Sequence, residues 1–245
     1  APPRRPYRDE VGRDPGALRI GILTHDPVDT DARHPECVAA VESTARHLEA
    51  LGHQIEFSYP AEWTRPESLA RFTSVWAADC AYIVDDWAEK VGRKVTQADV
   101  EPLTWVLAAM GRKVTGPKFI ATVANGLAAS ARAAQWWRNG PEGTGFDLLL
   151  TPTLGEPPVP HGTFPSTPEH PLTGFARAGR FVPFTTQANV SGQPAVSLPM
   201  HWTPEGLPVG VQLVAAFGRE DLLLQVAAQL ETAAPWAHRS PPAGA

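Results

Sequence analysis

Lysine is scarce in this sequence: four occur in 245 residues, at positions 90, 94, 113 and 118, all in the middle of the chain. No Lys/Arg cluster is dense enough to neutralise several phosphates, and the formal net charge is −5, which argues against a nucleic-acid surface. The one basic dipeptide near the start, Arg4-Arg5, is expected to be solvated. Cysteine is scarcer still. Cys37 and Cys80 each fall inside a predicted helix, which argues against a disulfide framework, and a zinc site would need further Cys/His at ligand spacing. Nine serines are scattered with no two adjacent and no Gly/Ser-rich segment around any of them. No apolar run reaches the roughly 18 residues of a membrane helix, and the opening APPRRPYRDE has no apolar h-region. Neither membrane nor nucleic acid is therefore expected as a partner, and the expected compartment is the cytoplasm.

What is present is a hydrophobic content of 43%, enough for a sizeable core in one α/β domain or two small ones. There are also 26 prolines, about twice the usual share of roughly 5%. They concentrate at the N-terminus, over 152–171 and at the C-terminus, and predict long irregular connections.

Residues 1–17 read as an extended arm, with Pro2, Pro3, Pro6 and Pro15 opposing regular structure. Leu18 to Leu23 is a short apolar strand, and Thr24 to His34 a polar loop. Pro35 followed by Glu36 starts a helix and Gly52 stops it. Between them Val38, Val41, Ala45 and Leu48 recur at helical spacing. Gln54 to Tyr59 alternates as a second strand, so the first sixty residues form a βαβ unit whose strands should lie parallel.

From 66 to 139 the character is helical. Leu69, Phe72, Val75, Trp76, Cys80, Ile83, Val84 and Trp87 are predicted to make one inward stripe. Further helices surround Leu103 to Met110 and run from Phe119 to Trp137. Tryptophans at helical spacing are expected in the core. Phe146 to Thr153, FDLLLTPT, is a strand whose three consecutive leucines predict cover on both faces.

The stretch 181–218 organises the rest. Ala195 to Leu198 and Val209 to Val214 read as buried strands joined by a turn at Thr203 to Pro208, and residues 189–194 as a polar loop entering the first of them. A last helix covers 219–233, with Glu220 and Asp221 favoured in its first turn by the helix dipole. A single α/β domain over 18–235 and a tail over 236–245 complete the expected organisation.

Chemistry-bearing residues are few. Glu156, His161, Glu169 and His170 share one loop, but their spacing follows no ligand pattern, so no metal is expected. Ser191 with His161 or His170 as its base is a second option for nucleophilic chemistry.

The segments LRIGIL, HPECVAAVESTARHLEALGH, FDLLLTPTLGEPP, ANVSGQPAVSLP and GLPVGVQLVAAFGREDLLLQVAAQLE, in that order from about Tyr7 to Pro235, resemble the C-terminal half of an amidase-signature hydrolase. The resemblance implies an α/β fold, a mixed central β-sheet flanked by helices. It implies hydrolysis of carboxamides, with no cofactor and no metal, by a Ser-cisSer-Lys triad in which a neutral Lys takes a proton through one Ser from the other. That triad belongs to the N-terminal half of the family's chain. Nothing here matches it, so no catalytic residue is assigned, and the lone chain is expected to be inactive.

The implied role is in shape. Thr151 and Thr153 end one strand, Gln187, Asn189 and Ser191 precede another, and Trp76 and Cys80 lie on the long middle helix; together these are the candidate substrate-binding residues. The implied partners are a small amide substrate, an N-terminal half as a separate or cleaved chain, and further copies in a homo-oligomer of the complete enzyme. Strands 18–23, 146–151, 195–199 and 209–214 are expected to need neighbours from that half. The alternatives are a non-catalytic binding or scaffold protein that keeps the pocket wall, and an unrelated small-molecule-binding α/β domain.

Overall fold

Five strands form one sheet in the computed structural model, which describes residues 3–29, 34–140 and 144–240. The strands are β1 (Arg19–Ile22), β2 (Gln54–Phe57), β3 (Leu148–Pro152), β4 (Ala195–Trp202) and β5 (Pro208–Ala215), in the spatial order β2-β1-β3-β5-β4. β2, β1 and β3 run parallel, β5 is antiparallel to β3, and β4 returns antiparallel to β5. The sheet is therefore mixed. Of the strands expected to need outside neighbours, β1, β3 and β5 have two partners each within the chain. Among the described residues, β4 keeps a free edge at one side of the sheet and β2 at the other. β4 is also less buried than its apolar run predicts, with Ala195 and Ser197 exposed.

Helix α1 (Pro35–Ala50) begins where Pro35 predicts, and the His34 ring nitrogen accepts the Glu36 N–H at 3.2 Å. It packs with α7 (Glu220–Ala233) on one face of the sheet. Val41, Leu48, Leu222, Val226 and Leu230 meet Ile20, Leu148, Leu150, Val211 and Leu213 in one continuous core. The other face is covered by α4 (Gly116–Arg138): Trp136 and Trp137 join Trp63, Phe146, Leu149, Phe184 and Val214. Gly21 makes this possible, since a Cβ there would fall 2.4 Å from the Trp136 ring and from the Ser58 carbonyl. With both faces covered, all five residues of β3 are buried, as its consecutive leucines predict.

The middle segment is helical as expected, with α2 (Glu67–Val91) and α3 (Pro102–Gly111) preceding α4. Its inward stripe is a correction. Leu69, Ile83 and Trp87 are 53%, 43% and 55% exposed, whereas Ala77, Ala81 and Val84 are buried. Ala81, Val84 and Ala108 of α3 pack as a small separate cluster. Helices approach closely through small residues, so the large apolar side chains of α2 end on the opposite, open side. No helix is long and apolar enough to cross a membrane among the described residues.

The two ends also differ from expectation. The arm holds a 3-10 turn at Tyr7–Asp9 and is docked on α7: Glu10 is buried, accepts the Gln225 amide at 2.8 Å and meets Arg5 at 3.2 Å. Arg5 is thus paired rather than simply solvated. At the other end Trp236 packs against the main core and the Arg239 guanidinium lies 3.9 Å from the Trp202 ring centre. Residues 1–2 of the expected arm and 241–245 of the expected tail lie outside the described residues.

Candidate functional site

Residues paired across a sheet point to the same side. Thr151 pairs with Gln212, and Gln212 with Ser197, so one polar residue from each of β3, β5 and β4 shares the face that α4 covers. The buried Gln212 amide donates to Thr151 Oγ1 at 3.2 Å and to the Phe184 carbonyl at 3.4 Å. The Thr151 hydroxyl in turn donates to the Pro152 carbonyl at 2.7 Å. This network satisfies groups that would otherwise be costly to bury.

Just past the end of β3, Thr153 is half-buried, and its N–H donates to the Gly210 carbonyl at 3.0 Å. Its Oγ1 lies 2.7 Å from Ser197 Oγ, although β5 runs between their strands. The contact needs Gly210: a Cβ there would sit 2.9 Å from both hydroxyl oxygens. Thr151 and Thr153 are therefore brought together with Ser197, Gln212 and Gly210, three residues the sequence analysis did not single out. A Gln and a Gly interrupting the apolar run VGVQLVA were the clue available.

The first half of the loop expected before β4, residues 189–191, is instead the end of helix α6 (Thr185–Ser191), which follows α5 (Thr173–Phe181) closely. Gly192 ends it at φ +72°, the left-handed position typical after a helix. Polar content suggested a loop, but TTQANVS followed by Gly satisfies a short helix equally well. Gln187 and Ser191, four apart, line one narrow cleft with Trp63, Ser68, Arg71 and Ser130. Asn189 is exposed. The Ser191 hydroxyl has the Ala188 carbonyl at 3.4 Å and Gln193 Oε1 at 3.1 Å as acceptors. His161 and His170 are exposed, and neither hydrogen-bonds Ser191 among the described residues, so a Ser-His pair is not formed.

Trp76 lines an open groove of about 660 Å³ between α2 and the start of α4, and its ring packs 5.8 Å from Phe72 and 5.5 Å from Phe175 of α5. Cys80, on the same helix, packs instead against the cluster of Ala81, Val84 and Ala108. Burial, with the Asp79 charge adding to it, raises the pKa of its thiol. The candidate residues thus fall into a sheet row, a cleft on α6 and positions on α2. Glu156 is engaged by Arg177 at 2.8 Å, and no group of three His, Cys, Asp or Glu able to hold a metal occurs among the described residues.

Comparison with known proteins bears on the family and the fold. A family model described as amidase matches residues 1–224. The chain is 39% identical over 242 residues to a 6-aminohexanoate-cyclic-dimer hydrolase of Pseudomonas sp. (strain NK87), covering 97% of this chain and 48% of that protein. It is similar to a solved structure of 6-aminohexanoate cyclic dimer hydrolase, with a TM-score of 0.91 at 38% identity over 99% of this chain and 50% of the other. A bacterial aryl acylamidase of the amidase-signature enzymes shares the fold, with a TM-score of 0.75 at 20% identity over 96% and 49%. The chain spans about half the length of these relatives.

Proposed function

The chain belongs to the amidase family of amidase-signature enzymes, and from that premise we propose that it is the sheet-forming, pocket-shaping half of a hydrolase of carboxamide C–N bonds. The observation that carries this reading is a likeness over almost the whole of this chain to only half of a hydrolase. Family membership removes the expectation of an unrelated α/β binding domain.

The other half supplies the Ser-cisSer-Lys triad. The neutral Lys amine takes the bridging Ser proton, that Ser takes the proton of the attacking Ser, and the Ser oxygen adds to the amide carbonyl. Backbone N–H groups hold the oxyanion, the protonated amine leaves, and water then cleaves the acyl ester and releases the acid. In this chain Thr153 and Ser197 on the sheet, Gln187, Asn189 and Ser191 on α6 and Trp76 on α2 shape the space in which the amide is held, while buried Thr151 and Cys80, which packs against Ala81, Val84 and Ala108, support the elements that carry them.

The reading is tested by complementation. The chain is produced alone and together with the matching N-terminal half of an amidase-signature hydrolase, and the appearance of free amino groups is followed, by ring opening of the cyclic dimer of 6-aminohexanoate and by arylamine release from a simple arylamide. Hydrolysis by the pair and none by the lone chain is the expected result. Turnover by the lone chain, or a folded pair that frees no amino group from any amide, overturns it.

A further inference from the structure

The groove along α2 has a chemistry that the Thr153 row does not share. Phe72, Val75, Trp76, Asp79 and Tyr82 recur at spacings of three and four, so they form one stripe of the helix, and Phe119 faces them from α4. Among the described residues, Asp79 is the one charged residue that lines the groove. Two other aspartates of α2 are held by cations: Arg112 donates to Asp85 and Lys90 donates to Asp86, each at 2.6 Å. Asp79 has no ion pair among the described residues. An unpaired carboxylate set among aromatic rings attracts a cation, and the ring faces add to that attraction. A volume of about 660 Å³ lies within the range of small-molecule sites.

We propose that this groove binds an organic ammonium, an apolar body bearing a protonated amine, with Asp79 as its counter-ion and Trp76 and Tyr82 against its body. The binding stands by itself. Only the further assignment, that the bound group is the amine-bearing end of an amide substrate, rests on the hydrolytic reading above.

The test is a titration of the chain with cyclohexylammonium chloride and with cyclohexanol, its neutral counterpart, read by ligand-observed NMR. The cation is expected to bind at least about fivefold more tightly than the alcohol, the scale of an exposed charge pair plus a cation–π contact. Asp79 is exposed, so Asp79→Asn should leave the fold unchanged; it should abolish that preference without altering cyclohexanol binding. Tyr82→Leu should weaken the cation about twofold and spare the alcohol. Equal affinity for the two probes, or a preference that survives Asp79→Asn, overturns the inference. Amide hydrolysis by the complemented pair without ammonium binding would overturn it while leaving the hydrolytic reading intact. Ammonium binding without hydrolysis would do the reverse.

Discussion

Thr153 and Ser197 touch across a strand to which neither belongs, with their hydroxyl oxygens 2.7 Å apart over Gly210. Gly210→Ala should therefore force the pair apart or displace β5. The expected cost is about 1–3 kcal/mol, the usual penalty for overfilling a packed site. Thermal unfolding measures it. In a Gly210→Ala, Ser197→Ala double variant the loss should shrink, because one of the two obstructing oxygens has gone.

Cys37 is predicted to be inert. Burial first, then the carboxylates of Glu156 and Glu36, push its thiol up to about 12. A thiol raised above its ordinary value of 9.0 stabilises the folded chain below pH 9, and this contribution is lost as pH rises from there towards 12. Iodoacetamide at pH 7.5 should leave Cys37 unmodified in the native chain and label it in denaturant, as read by peptide mass. Rapid native labelling at Cys37 would contradict the packing described.

Glu62 ties α4 to the 3-10 turn at Ala61–Thr64. Arg132 donates to it at 2.8 and 2.9 Å, and this pairing holds the carboxyl below its ordinary value of 4.5 against the opposing effect of burial. The stabilisation is present above pH 4.5 and is lost as pH falls through the lowered folded value. Glu62→Gln should cost about 1 kcal/mol at pH 7 and less below pH 4. Urea unfolding at the two pH values checks both statements.

Glu10 anchors the N-terminal arm. Glu10→Ala leaves the buried Gln225 amide without its acceptor and should cost about 1–3 kcal/mol, whereas Glu10→Gln keeps a hydrogen bond and should cost less. Melting temperatures of the two variants, compared at one protein concentration, decide this.

The strands and the long helices were legible in the sequence, because each has its own period and punctuation. Pro35 opens α1, the leucines of FDLLLTPT mark a strand covered on both sides, and the Thr203–Pro208 turn makes a hairpin. What was not legible depended on partners distant in the chain. The period of α2 revealed a stripe but not which side α3 would occupy, and α3 chose the alanines. The docking of the arm depends on Gln225, and the Thr153–Ser197 contact on a glycine from a third strand. Thr151 and Thr153 were singled out because the resemblance places them at a strand end; Gln212 and Ser197 became visible only through register.

The order of the strands bears on how the chain reaches this state. The Arg19 N–H donates to Asp147 Oδ2 at 2.8 Å across 128 residues, and the parallel pairing of β1 with β3 begins beside that bond. All of α2, α3 and α4 lies within the loop so closed, whereas β4 and β5 are joined by a short turn. Loop-closure entropy makes the distant pairing slow to be rewarded, while the hairpin forms on a local timescale. The hairpin is therefore expected to acquire hydrogen-exchange protection first during refolding. β1 would follow last, once the helices between it and β3 have collapsed.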